Sequence, residues 1–183
     1  MWNNIFFGCN GPVFASLRLK TNINKNIMST NEIGLKIKDS KILVEKLNSL
    51  LANYEIYYQN LRNFHWNVTG PNFFELHAKF EELYNQANLG IDEVAERILT
   101  LGARPYSSFE EYISHAAIKE AKHVDDAKKM VEIVRDNLNI LLKLERETLE
   151  TAAEQGDEGT VTLISDYISA KEKTVWMLSA YLK

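Results

Sequence analysis

Among the histidines and carboxylates between His65 and Glu96, five stand out as candidate metal ligands by their placement: His65, His77, Glu81, Asp92 and Glu96. Imidazole and carboxylate are both metal-ligand types. His77 and Glu81 are four residues apart, as are Asp92 and Glu96. On a helix each pair lies one turn apart on one face. With Phe80 at zero on a helical wheel, His77, Glu81, Asn88, Asp92 and Glu96 fall between about 60° and 160°. That flank borders the apolar stripe, while Glu75, Lys79, Glu82, Glu93 and Arg97 point elsewhere. Distance constrains what the flank can do. Fifteen residues separate the two pairs, about 22 Å of straight helix, so no single ion touches both within one subunit. Either two half-sites exist, or a second copy of the helix runs antiparallel across a two-fold axis, so that His77 meets the partner's Asp92 and the partner's Glu96. A hydrogen-bonded surface cluster is the plainer reading of the same spacing.

These residues need long elements to position them. Gly70-Pro71-Asn72 breaks the chain before one long helix, because Pro71 cannot continue a preceding helix and Asn72 is a good N-cap. Phe73, Leu76, Phe80, Leu83, Ala87, Ile91, Val94, Ile98 and Leu101 then recur at helical spacing, and Gly102 stops the run. His65 ends a preceding helix expected over 38–66, with Ile42, Leu47, Leu50, Leu51, Tyr54, Tyr57, Tyr58 and Leu61 as its stripe. Ser108, with Glu111 three residues on, caps a short helix, FEEYISHA. A third long helix is expected over 119–154, with Val124, Ala127, Val131, Val134, Leu138, Leu141, Leu142 and Leu149 as its apolar side. A fourth follows Gln155-Gly156-Asp157, over 158–182. Four amphipathic helices with no strand signal predict an all-α four-helix bundle, with a short extra helix between the second and third long ones.

The chain has 183 residues, 45% of them hydrophobic, with eight glycines and three prolines, which fits one domain of long elements. No apolar run approaches the ~20 residues of a membrane span. A single cysteine, Cys9, excludes an intrachain disulfide and points to a reducing, cytoplasmic compartment. Residues 1–35 read as an irregular extension before a bundle domain over 36–183. Residues 1–31 hold no acidic residue and only Arg18, Lys20 and Lys25 as basic ones. They fit neither a secretory signal nor a transit peptide, and suggest an upstream start codon with Met28 the true beginning. Starting there takes the net charge from −4 to −7.

The motifs N-F-H-W-N-V-x-G, F-F-E-L-H-x-x-F-E-x-x-Y and I-D-E-x-A-E-R-I resemble those of the Dps family, the mini-ferritins, and the resemblance runs from about Leu35 to the C-terminus. It implies a ferritin-like bundle, a hollow dodecamer built on two-fold dimers, and a ferroxidase that oxidises Fe2+, with hydrogen peroxide as preferred oxidant, and stores the ferric product. Carried over by motif, His65, His77, Glu81, Asp92 and Glu96 form the iron-oxidising centre across a subunit two-fold. The family often has Asp at the Glu81 position. Trp66 then takes the role of intercepting stray one-electron oxidants, beside a plainer one as a core aromatic. Asp157 and Glu158, with Glu154, fall at the turn near the family's iron-entry channels, where carboxylates concentrate cations; such runs are otherwise solvated loops.

Other features weigh less. Glu-x-x-His, used in pairs by ordinary di-iron bundles, occurs once, at Glu120 to His123. His123 is therefore expected at the surface, His115 in a structural role, and Trp176 in packing. For DNA the sequence offers Lys36, Lys38 and Lys41 interleaved with Glu32 and Asp39, a weak footprint on an acidic protein. A nucleoid-compacting protein with a secondary iron site is the rival reading, and a bundle whose His/Asp/Glu flank is a polar dimer seam is the third.

Overall fold

The structure, a computed structural model, describes residues 30–183, and of residues 37–39 the backbone alone. The expectations for Met28 as the start and for Cys9 lie outside the described residues. Five helices follow one another: α1 (Ile37–Asn67), α2 (Phe73–Thr100), α3 (Phe109–His115), α4 (Ala127–Glu154) and α5 (Glu158–Tyr181). Among the described residues no strand occurs beyond an isolated bridge between Thr30 and Lys36. No helix among them is long and apolar enough to cross a membrane.

The helix ends follow from local chemistry. Gly102, at φ +82°, ends α2 in a Schellman motif, its N–H donating to the Leu99 carbonyl and that of Ala103 to Ile98. Gly156 repeats the device at the end of α4. Ser108 caps α3 by accepting from the Glu111 N–H, while the Glu111 carboxylate reaches back to the Ser107 N–H at 2.9 Å. Asn72 stands at the N-cap position of α2 but makes no side-chain capping bond.

α1 packs against α2 and α4, and α5 packs against α4. The bundle closes between α2 and α5 through polar bonds: Arg97 to Asp157 and Thr160, Tyr167 to Glu93, and Asn72 to Tyr181. The five residues joining α1 to α2 make them an antiparallel hairpin, and the long connection from α2 to α4 crosses the bundle. The core between them holds Leu43, Leu47, Leu50, Leu61, Phe64, Phe80, Ile98, Met130, Leu138 and Leu141, all at most 2% exposed. Burying each such side chain contributes roughly 1.5–3 kcal/mol. Gly90 lets α1 and α2 approach closely, since a Cβ there would lie 3.1 Å from the Tyr54 ring.

Three expectations change. The third long helix begins at Ala127 rather than near Lys119, capped by Asp126, whose carboxylate accepts from the Lys129 N–H. The preceding backbone is tied down by α1 instead: Asn53 accepts from the N–H groups of Ala117 and Ile118, Asn60 from that of Ala121, and the amides of Asn60 and Asn63 donate to the carbonyls of Lys119 and Ala121. Glu120 and His123 are therefore not on a helix, and His123 has φ 53°. Ile42, expected in the α1 stripe, is 60% exposed, and its neighbour Leu43 takes the core position. Within 30–35, Asn31 forms a turn whose side chain accepts from the N–H groups of Ile33 and Leu35, so the end of the extension is locally ordered.

Candidate metal centre

The α1–α2 hairpin brings its two histidines together. His65 lies in the last turn of α1, where carbonyl groups lack helical partners, and His77 lies in the second turn of α2. His77 Nδ1 is 2.8 Å from the His65 carbonyl oxygen, and His65 Nδ1 is 2.9 Å from that of His77. A carbonyl oxygen only accepts, so each Nδ1 carries the hydrogen and each Nε2 keeps its lone pair for a metal. The rings stack at 3.8 Å, with Phe73 stacked on His77 at 5.0 Å and Tyr84 edge-on to His65 at 5.3 Å.

Glu81 completes a group. One ligand atom from each of His65, His77 and Glu81 lies within 4.8 Å of the others, the histidines half-buried and Glu81 exposed. Two neutral imidazoles and one carboxylate are a fitting donor set for Fe2+. Asp92 and Glu96 are not in this group. Both are exposed further along α2, which runs unbroken from Phe73 to Thr100, so the separation of about 22 Å stands. One subunit holds the two groups apart.

Trp66 is 58% exposed rather than in the core, and the Arg62 guanidinium stands over its ring at 4.7 Å. Trp176, expected to pack, is 68% exposed. His115 and His123 are exposed. Asp157, expected to line an entry channel, is buried: it caps α5 by accepting from the Thr160 N–H and hydroxyl, and it pairs with Arg97. Its oxygens are engaged in holding α5 to α2. Glu158 is exposed.

Two sets of residues escaped the sequence reading. Beside Glu81, partial desolvation first, and then the Glu81 carboxylate, raise the Tyr84 hydroxyl above its ordinary value. In the bundle interior, Glu145 is fully buried, accepts from the Tyr54 hydroxyl at 2.8 Å and pairs with Lys171 at 2.8 Å. Burial raises the Tyr54 hydroxyl, with Glu145 adding to it, and burial lowers Lys171 against the opposing pull of Glu145. The signal for Glu145 was present: it stands four residues after Leu141 and four before Leu149, on an otherwise apolar stripe. Nothing in its spacing identified Lys171 as the counter-ion.

The comparisons with known proteins agree with this architecture. The ferritin-like domain family matches residues 44–183. A DNA protection during starvation protein of Porphyromonas gingivalis is 46% identical over 148 residues, covering 81% of this chain and 93% of its own. One from Brevibacillus brevis is 40% identical over 152 residues, covering 81% of this chain and all of its own. The crystal structure of a Dps protein from Vibrio cholerae, described as belonging to a broad superfamily of ferritin-like diiron-carboxylate proteins, superimposes with a TM-score of 0.83 at 53% identity. That match covers 85% of this chain and 98% of the other. The helical bundle, its extra short helix and these relatives place the chain in the Dps family of ferritin-like proteins.

Proposed function

We propose that this protein is a ferroxidase and iron store, oxidising Fe2+ with hydrogen peroxide at sites shared between two subunits and holding the ferric product inside a hollow dodecamer. The observation that carries the reading is the imidazole pair, each Nδ1 bonded to a main-chain carbonyl, grouped with Glu81 so that one ligand atom of each residue lies within 4.8 Å of the others. A site of three donors on one subunit gains its remaining carboxylates from the partner's Asp92 and the partner's Glu96 across a two-fold axis. Neutral imidazole favours the Fe2+ substrate, and carboxylate oxygens favour the Fe3+ product, which draws the reaction forward. Peroxide accepts two electrons and each Fe2+ gives one, so two ferrous ions consume one peroxide and two protons and yield two waters. Trp66, exposed beside His65, is the side chain we assign to intercept one-electron oxidants that escape this balance.

The test is anaerobic addition of limiting peroxide to the Fe2+-loaded protein. Two irons oxidised per peroxide, without hydroxyl radical on a spin trap, is the expected result. One iron per peroxide with radical release would refute the reading.

A further inference from the structure

The solvent-facing side of α2 is self-complementary. With Phe80 at zero on the helical wheel, Phe74, Ala78, Asn85, Ala95 and Leu99 fall in the same sector, about 60° to 160°, as His77, Glu81, Asn88, Asp92 and Glu96. None of these residues is buried: Phe74 is 80% and Leu99 59% exposed, and of the others only His77 and Ala95 are half-buried. α2 spans Phe73–Thr100, so its midpoint falls between Gln86 and Ala87. A second copy laid antiparallel on this face, with a two-fold axis at that midpoint, overlaps the first along its whole length. Such an isologous contact sets each residue before the midpoint against the one equally far after it. His77 then faces the partner's Glu96, and Glu81 faces the partner's Asp92. The same register sets Phe74 on the partner's Leu99, Ala78 on the partner's Ala95 and Asn85 on the partner's Asn88. Apolar side chains meet apolar ones, small meet small, and amides meet amides. Sliding one copy by a turn carries Phe74 or Leu99 past the end of the opposing helix and leaves it uncovered.

We propose that this face of α2 is the seam between two copies of the chain, in that register, with the Phe74–Leu99 and Asn85–Asn88 contacts closing the outer and inner sides of each shared metal site. The register rests on the shared-site reading above, because it brings His77 and Glu81 to the partner's Glu96 and the partner's Asp92. Removing the exposed Phe74 and Leu99 side chains from water drives the association. The amides beside the axis both donate and accept, so they satisfy one another. Ala78 and Ala95 let the two helix axes approach.

Charge pairing tests the seam without metal. Phe74 and Leu99 stand about 37 Å apart along a straight helix, so charges placed at the two positions meet only between copies. Sedimentation of the full chain in chelator reads the fraction assembled into dimers or larger species. Both positions are exposed, so circular dichroism should show parental helix content in every variant. F74E and L99K alone should each weaken assembly about tenfold. F74E combined with L99K should recover most of that loss, since each introduced carboxylate faces an introduced ammonium. F74E combined with L99E should recover none. Parental assembly in both single variants, an opposite-charge pair no better than the like-charge pair, or a parent that sediments as a monomer would overturn the proposal. Co2+ titration of the parent and of H65A separates the seam from the metal centre. Co2+ binding that is lost in H65A, without recovery by the charge pair, leaves the metal centre standing and refutes the register. Recovery by the charge pair, with equal Co2+ binding in the parent and H65A, supports the seam and refutes the metal centre.

Discussion

His65 on α1 and His77 on α2 are each anchored to the main chain of the other, Nδ1 to carbonyl oxygen at 2.9 and 2.8 Å. The pair therefore ties the hairpin together while leaving both Nε2 atoms available. His77→Ala should lower stability by about 1 kcal/mol, the net worth of a hydrogen bond. Asp92→Ala and Glu96→Ala remove exposed carboxylates and should stay within about 0.5 kcal/mol in the isolated fold. Thermal melting of metal-free protein at fixed concentration makes the comparison, and equal losses in all three would contradict it.

The buried Lys171–Glu145 pair makes a larger prediction. Removing one partner leaves an uncompensated buried charge, so Lys171→Met should cost about 3–5 kcal/mol. Lys171→Met with Glu145→Gln removes both charges and should recover much of that loss. Chemical denaturation of the two variants checks it; a double variant as unstable as the single one would show that charge is not the cause.

Asn53 supports the connector rather than its own helix, accepting from the N–H groups of Ala117 and Ile118. Asn53→Ala leaves two donors without a partner and should cost about 2 kcal/mol. Hydrogen exchange should accelerate in residues 116–121 and stay slow in the body of α4. Uniform acceleration across the bundle would mean that the connector is held by other contacts.

How far these features were legible depends on whether they leave a local signature. The α2 helix, its Gly102 stop and the Ser108 cap are set by neighbouring residues, and all three stand in the structure. The pairing of His65 with His77 was legible because a tight Gly70-Pro71 turn forces α1 and α2 to be neighbours. The start of α4 was not, because Val124 continues the apolar spacing of Ala127 and Val131 past the helix start into connector backbone. The contrary signal was the set of asparagines at 48, 53, 60 and 63 on α1, a residue type that disfavours helix interiors unless its amide has another partner. The burial of Asp157 was not legible because an acidic turn looks solvated in sequence, while its partner Arg97 lies 60 residues away.

DNA binding should be weak. The protein is acidic, with net charge −4, and affinity for duplex depends on phosphates neutralised by basic side chains. Mobility-shift titration should show no complex at physiological salt. A complex that persists at moderate salt would promote nucleoid compaction to the leading reading.

The central claim, that each oxidation site draws on two subunits, is tested most directly by complementation. One variant carries His65→Ala and His77→Ala, the other Asp92→Ala and Glu96→Ala. Each alone should lose nearly all rapid peroxide-driven iron oxidation, since every site lacks half of its ligands. After unfolding, equal mixing and reassembly, random pairing makes about half of the two-fold dimers hybrid, with one intact site in each. The account predicts recovery of about a quarter of the parental rapid oxidation. Oxidation that stays at the single-variant level in verified hybrids would contradict it, because a site built within one subunit has no complete set of ligands in either chain.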